Sequence, residues 1–143
     1  MQGLKVARTG MERFRRRARK AYLEGKEYIE MVGGQITPTG ILIQEFFSFP
    51  HKASKEKIHY EDADWNAAIE TITAKGMVFL GSIHSHPNKH SHPSEEDLHS
   101  SRRAGEHLLG IIAIWRSETG RLMTKTEWWP NHHPYRVEIY RPA

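Results

Sequence analysis

Seventeen residues near the middle of the chain carry most of its chemistry: Gly81-Ser-Ile-His84-Ser-His86-Pro-Asn-Lys-His90-Ser-His92-Pro93-Ser94-Glu-Glu-Asp97. Of ten histidines in 143 residues, six fall between His84 and His107, and there is no cysteine. Clustered imidazoles without thiols point to metal chemistry through nitrogen. The apolar run Met77–Ile83 reads as a short buried strand that ends in the two histidines. Residues two apart on a strand face the same way, so His84 and His86 are presented together. Such a pair binds one Zn2+ at about 2.0–2.1 Å per nitrogen. Pro87 ends the strand. Ser94 then reads as a helix N-cap, which makes Asp97 the third helical residue. There the helix dipole favours the ionised carboxylate that a metal requires. Two imidazoles and one carboxylate leave a fourth tetrahedral position for water, the pattern of a catalytic rather than a structural zinc site. The plainer alternative is that Ser94 and Asp97 only cap a helix while the histidines decorate a loop. Capping accounts for Ser94 and Asp97 but not for two histidines placed together on the preceding strand.

His-Ser-His-Pro occurs twice, at 84–87 and at 90–93. Only the first copy follows a strand-like run. Counted from its proline, a serine lies seven residues on and an aspartate three further; the same count from the second copy reaches Ser100 and Arg103, and an arginine does not ligate a cation. The first copy is therefore the one in register. His90 and His92 are expected in the loop between the ligands, exposed at the entrance to the site.

Several elements must position this stretch. Residues 1–10 read as a lead-in, with Thr9 and Glu12 at capping-box spacing. Phe14, Ala18, Ala21 and Tyr22 then trace one helical face over about 11–24, closed by Gly25. The other faces carry Arg13, Arg15, Arg16, Arg17, Arg19 and Lys20, a solvated surface or a docking face for an acidic partner. Tyr28–Val32 and Ile41–Phe49 read as strands, with Gly33-Gly34 and Thr37–Gly40 between them as the turn. A polar loop covers 50–61. Trp65, Ala68, Ile69 and Ile72 give a helix of about 62–75 that stops at Gly76. After the histidines, a helix from about Ser94 to His107 precedes strands over Leu109–Trp115, Arg121–Trp129 and Tyr135–Tyr140. Trp65, Trp115 and the pair Trp128-Trp129 are expected to pack. Helices scattered among strands argue for an α+β or mixed α/β fold in a single core.

Composition narrows the classes further. The length suits one domain spanning 1–143, large enough for a core without staples. Without cysteine, disulfide scaffolds, thiolate zinc ribbons, Fe–S clusters and thiol nucleophiles are excluded. No uncharged apolar run reaches the ~18 residues of a membrane span, and the first residues lack the apolar region of a signal peptide, so a cytoplasmic protein with no membrane partner is expected. The net charge of +4 favours acidic partners in general. Nucleic acid is not expected, because no stacking aromatics interleave with the arginines of the first helix.

His-x-His-Pro, six residues, Ser, two residues, Asp resembles the signature of the JAMM (MPN-plus) metalloproteases, matched at His84, His86, Pro87, Ser94 and Asp97. The preceding strand is similar to that of the short prokaryotic, JAB-type members. The resemblance implies a curved β-sheet flanked by helices, with one zinc ion held by His84, His86 and Asp97. It also implies an upstream glutamate as general base, taking a proton from the activated water and delivering it to the leaving amine. Glu27 follows the helix end and has Gly34 seven residues on, so it is preferred; Glu30, mid-strand with Gly33 three residues on, is the alternative. With Glu27, Glu30 stands where the family usually has a small residue. Ser94 would donate to the developing oxyanion. The implied function is a metallo-(iso)peptidase cutting after the C-terminal glycine of a ubiquitin-like protein, in deconjugation or precursor processing. The implied partner is that protein's extended tail or its conjugates. Short prokaryotic relatives are associated with bacterial ubiquitin-like conjugation (antiphage systems included), archaeal modifiers and sulfur-carrier precursors. The rival classes are a non-catalytic MPN scaffold, which lacks the ligands, and a nucleic-acid-associated JAMM-like protein.

Overall fold

A computed structural model describes residues 3–130 and the backbone of 136–140. The elements run β1 (Gly3–Ala7), α1 (Arg8–Leu23), β2 (Ile29–Thr37), β3 (Gly40–Phe47), β4 (Lys52–Ala53), β5 (Ile58–His59), α2 (Asp62–Ala74), β6 (Val78–His86), α3 (Glu95–Arg103), β7 (Leu108–Arg116), β8 (Leu122–Pro130) and β9 (Arg136–Tyr140). Seven strands form one mixed sheet in the order β8-β7-β6-β2-β3-β1-β9, and β4 pairs with β5 as a separate hairpin. β6 runs parallel to β7 and antiparallel to β2, so the strand carrying the histidines sits near the middle of the sheet. Tyr135, with which the expected last strand begins, lies outside the described residues.

Both faces of the sheet are covered. α1 lays Met11, Phe14 and Ala18 against Val32, Ile43, Phe46, Ile83 and Ile112. On the other face, Trp65, Ala68 and Ile72 of α2 meet Ile29, Met31, Phe47 and Phe49. At roughly 1.5–3 kcal/mol for each fully buried large apolar side chain, these two layers dominate the stability. Among the described residues no helix is long and apolar enough to cross a membrane.

Three local expectations are corrected. The lead-in is not irregular: Gly3–Ala7 pairs in parallel with both β3 and β9, burying Leu4 and Val6. A five-residue strand with only two inward side chains leaves too little alternation to read. Helix α1 therefore starts at Arg8, with Ala7 as its N-cap and no side-chain cap; Thr9 lies inside it and Glu12 accepts from Arg8 instead. Gly33-Gly34 is not a turn. β2 continues to Thr37, and the two glycines sit at β-bulges facing β3 and β6. A Cβ on Gly34 would fall 1.8 Å from the Leu42 carbonyl oxygen, so the strands approach this closely only with glycine there. The expected polar loop contains the short β4–β5 hairpin. Trp65 and Trp128 are buried, whereas Trp115 is only half-buried at the end of β7.

One of these bulges sets the face on which the histidines lie. β6 pairs Phe79 with Gly33 and Gly81 with Val32, leaving Leu80 as the extra residue. The added residue changes the parity of the strand, so Leu80 and Ile83 pack under α1. Ser82, His84 and His86 then share the opposite face, the one on which α2 and α3 lie.

Candidate metal centre

The side chains of the centre arrive on two elements. His84 is buried in β6 opposite Ile29, and His86 is the strand's last residue. Asp97 comes from the first turn of α3, where a reciprocal capping box fixes it: Asp97 N–H donates to Ser94 Oγ at 3.0 Å and Ser94 N–H donates to Asp97 Oδ2 at 2.9 Å. Ser94 is the N-cap and Asp97 the third helical residue, at the positions the sequence spacing predicts. Between strand and helix, the loop is held by Trp129, whose indole N–H donates to the Ser91 carbonyl at 2.9 Å.

The three side chains converge. His84 Nε2 and His86 Nε2 are 3.2 Å apart, His84 Nε2 lies 3.3 Å from Asp97 Oδ1, and His86 Nε2 lies 3.2 Å from Asp97 Oδ2. Donors at 2.0–2.1 Å from a tetrahedral ion stand about 3.3–3.4 Å from one another, so these spacings match the edges of a zinc polyhedron. The chemistry of the donors fits as well. His86 Nδ1 faces the His90 carbonyl at 3.1 Å. A carbonyl only accepts, so Nδ1 carries the proton and Nε2 of the neutral ring offers a lone pair. That lone pair, the second imidazole and a carboxylate oxygen meet at one point, which calls for a cation between them. A backbone carbonyl behind a ligating imidazole is the usual support for this geometry.

The charges agree. Burial acts to raise the Asp97 pKa, but the His84 and His86 rings in their protonated form and the Ser94 amide donate to it, outweigh burial and hold the carboxyl well below the usual range. Burial acts to lower the His86 pKa; Asp97, the His90 carbonyl and the charge of Glu27 more than offset it, leaving it raised. Glu27 is half-buried and lines the same cavity. Burial pushes its carboxyl up, opposed by the two imidazoles and reinforced by Asp97.

Glu27 and Glu30 lie on different sides of the sheet. Gly25, at φ +73°, ends α1 by turning the chain, with Lys26 N–H bonded to the Ala21 carbonyl. Glu27 follows at once, its N–H donating to the Ser54 carbonyl of the hairpin loop. Glu30 is fully buried under α1, where Tyr28 Oη donates to it at 2.5 Å and Arg17 Nη1 at 3.2 Å. Tyr28 N–H in turn donates to Oγ of Ser85, the residue between the two histidines, and Ser85 N–H donates to the Tyr28 carbonyl. Arg13 donates to the Phe46 carbonyl, so two cations of α1 are engaged with the sheet. His90 contributes its carbonyl, not its ring, and His92 packs on Trp129; both side chains are exposed and neither lines the cavity.

The cavity itself, about 260 Å3, runs from the three ligands between α3 and the β4–β5 hairpin. At its wall lies a residue with no sequence signal. Glu106, between α3 and β7, is buried and takes a hydrogen bond from Ser82 Oγ. Only the parallel pairing of β6 with β7 brings the two together, and no spacing rule announces it.

Comparison with known proteins places this arrangement. Residues 9–131 match the family described as prokaryotic homologs of the JAB domain. The chain superimposes on a solution structure from Desulfitobacterium hafniense with a TM-score of 0.69 at 20% identity, covering 97% of this chain and 94% of that one. A crystal structure of a JAB1/MPN domain protein from Archaeoglobus fulgidus matches with a TM-score of 0.55 at 19% identity, over 94% of this chain and 97% of that one. No curated protein matches. The likeness to the two structures carries the fold. The family match spans β2, the two histidines and Asp97 alike, and on that match the chain belongs to the prokaryotic JAB-domain family.

Proposed function

We propose that this chain is a zinc-dependent peptidase or isopeptidase acting after the C-terminal glycine of a ubiquitin-like protein, either freeing it from a conjugate or trimming its precursor. The observation that carries the reading is the convergence of His84, His86 and Asp97 within 3.3 Å of one another, at a cavity that Glu27 also lines. A scaffold without chemistry would have no use for three lone pairs aimed at one point. When bound there by these three side chains, zinc would polarise a water and the scissile carbonyl.

The remaining work belongs to the chain. Glu27 takes the proton of the attacking water onto a carboxylate oxygen and delivers it to the leaving nitrogen as the C–N bond breaks. Its pKa, raised by burial, brings it towards the working pH, which favours a group that must both accept and return a proton. Ser94 Oγ already accepts the Asp97 amide, leaving its hydrogen to donate to the carbonyl oxygen as charge develops. A glycine tail suits the site because it carries no side chain past the ligands, and an extended tail can be held by main-chain hydrogen bonds.

The test is incubation of purified protein with ubiquitin-like fusions bearing different C-terminal tails, with and without chelator and with zinc restored. Cleavage after a terminal glycine that chelator stops and zinc returns is the expected result. Cleavage that survives complete metal removal, or zinc binding with no cut of any glycine-ended fusion, overturns the reading.

A further inference from the structure

The chain that joins the two ligand-bearing elements is mostly exposed. Between His86 and Glu95 it has no helix or strand, and Asn88, Lys89, His90 and His92 are all exposed. Ser91 is the exception, at 2% exposure. A polar residue buried out of a solvated loop must find partners for its hydroxyl and its backbone. Ser91 finds them on β8, at the end of the sheet order and two places from β6. Trp129 Nε1 donates to the Ser91 carbonyl at 2.9 Å, and the Ser91 hydroxyl donates to the Glu127 carboxylate. Lys125 Nζ lies 2.9 Å from the same carboxylate, which favours its ionised, accepting form. The His92 ring rests on that of Trp129, with centroids 4.9 Å apart. Glu127 and Trp129 are two residues apart on β8 and share one face, while Trp128 between them joins the core beneath α1. Neighbouring strands stand about 4.8 Å apart, so the loop reaches roughly 10 Å sideways over β7 to be held there.

That anchorage acts on a metal ligand through one peptide group. The carbonyl that meets His86 Nδ1 at 3.1 Å belongs to His90, and its planar amide ends at the Ser91 Cα. Holding Ser91 by its hydroxyl and by its carbonyl therefore fixes where the His90 oxygen points. On the other side, the His90 N–H donates to Asn88 Oδ1 at 2.8 Å. We propose that Glu127 and Trp129 are positioning residues of the metal centre: by clamping Ser91 they aim the His90 carbonyl at His86, orient its ring and so set the affinity of the site for zinc. The assignment rests on the reading of His84, His86 and Asp97 as zinc ligands and does not need hydrolysis. Without the clamp that oxygen moves with an exposed loop, and His86 Nε2 is no longer held in convergence with the other two donors. Losing a partner behind a ligating imidazole typically costs about 10- to 100-fold in metal affinity.

The experiment measures zinc dissociation constants of the full chain, stripped of metal, by competition with a chromophoric chelator. Trp129→Phe keeps a ring against His92 and loses the indole N–H; Glu127→Ala loses the acceptor of the Ser91 hydroxyl. Each should weaken zinc binding by about tenfold or more. Glu127→Gln gives up the charge but keeps an oxygen that accepts from Ser91, so it should bind zinc as the parent does. Trp128→Phe loosens β8 on its other face without touching the loop, and it should also match the parent. In cobalt-loaded protein the visible absorption bands, which report the arrangement of donors about the ion, should shift in Trp129→Phe and Glu127→Ala alone. Parent-like affinity and spectra in those two variants overturn the clamp. So does Glu127→Gln binding as weakly as Glu127→Ala, which makes the effect one of charge, or an equal loss in Trp128→Phe, which makes it general loosening. If Trp129→Phe does not fold, the two Glu127 variants decide. A parent that takes up neither zinc nor cobalt overturns the metal centre and the clamp with it. A parent that binds zinc but cuts no glycine-ended fusion overturns only the hydrolase, and the clamp is then judged on the affinities.

Discussion

On the proposed function, three side chains hold the ion and a fourth group carries turnover. Removing a ligand should therefore differ in kind from removing the base. His84→Ala or Asp97→Asn should come through dialysis with zinc content near zero by atomic absorption. Glu27→Gln should keep the ion and lose turnover by about 10²–10⁴, the range for general acid–base catalysis. If Glu27→Gln sheds zinc, Glu27 is a ligand and not the base. Glu30→Gln supplies the complementary test. It weakens a fully buried carboxylate bonded to Tyr28 and Arg17, so unfolding should become easier by about 1–3 kcal/mol in urea. Turnover per folded molecule should persist; its abolition would move the base to Glu30. The convergence of His84, His86 and Asp97 was legible because short spacings fix them within two adjoining elements. Which of Glu27 and Glu30 lies beside that group was harder to read, since both precede glycines at tolerable distances. What separates them is the pairing of Ile29 with His84, which a lone sequence does not disclose.

Elements decide how rigidly those atoms are held. Asp97 owes its placement to the first turn of α3, where Ser94 and Asp97 satisfy each other's amides. Ser94→Ala removes one of the two bonds and should lower stability by about 1 kcal/mol, roughly 3–4 °C in melting temperature for a chain of this size. Ser94→Thr should restore the melting temperature, because threonine caps nearly as well. An alanine variant as stable as the parent would mean that the cap contributes nothing to holding Asp97. Such boundaries were readable wherever a single local signal dominates: Ser94 opens α3, Gly25 and Gly76 close α1 and α2 at positive φ, and apolar periodicity traces Phe14, Ala18 and Ala21. They were misread where the cause is distant. β1 becomes a strand because β3 and β9 lie on either side of it. Gly33-Gly34 looks like a turn because glycine pairs usually make one; here the pair lets β3 approach and accommodates Ile72, whose methyl would lie 2.8 Å from a Cβ on Gly33. Glu106 had no signal at all, since only the β6–β7 crossover carries it to Ser82.

Across the whole molecule the charges are sorted by face. Between Arg8 and Lys26 lie eight basic and two acidic side chains, a net +6 against +4 for the chain, so the remainder is −2. The basic helix covers one side of the sheet, and a cavity lined by Glu27, Glu56, Glu96, Asp97 and Glu106, with Lys57 the one lysine or arginine among its lining residues, opens on the other. That asymmetry should favour the approach of cationic over anionic segments to the cavity, at rates that salt reduces. It also leaves a mark on stability. Glu106 is held at about 7 in the folded chain against 4.5 for a free glutamate, so the folded state keeps its proton longer. The stability this contributes is full below pH 4.5 and is lost as pH rises through 7, on the order of 3 kcal/mol in all. Urea midpoints of the chelator-treated protein should fall over that interval. His86, whose pKa is also raised, loses stabilisation in an overlapping window, so the quantity to read is the difference between parent and Glu106→Gln. Relative to the parent, that variant should gain stability steadily between pH 5 and about 7.5 and then level off. A difference that stays flat across the interval would mean that Glu106 is ionised throughout, and that some other group sets the acid limb.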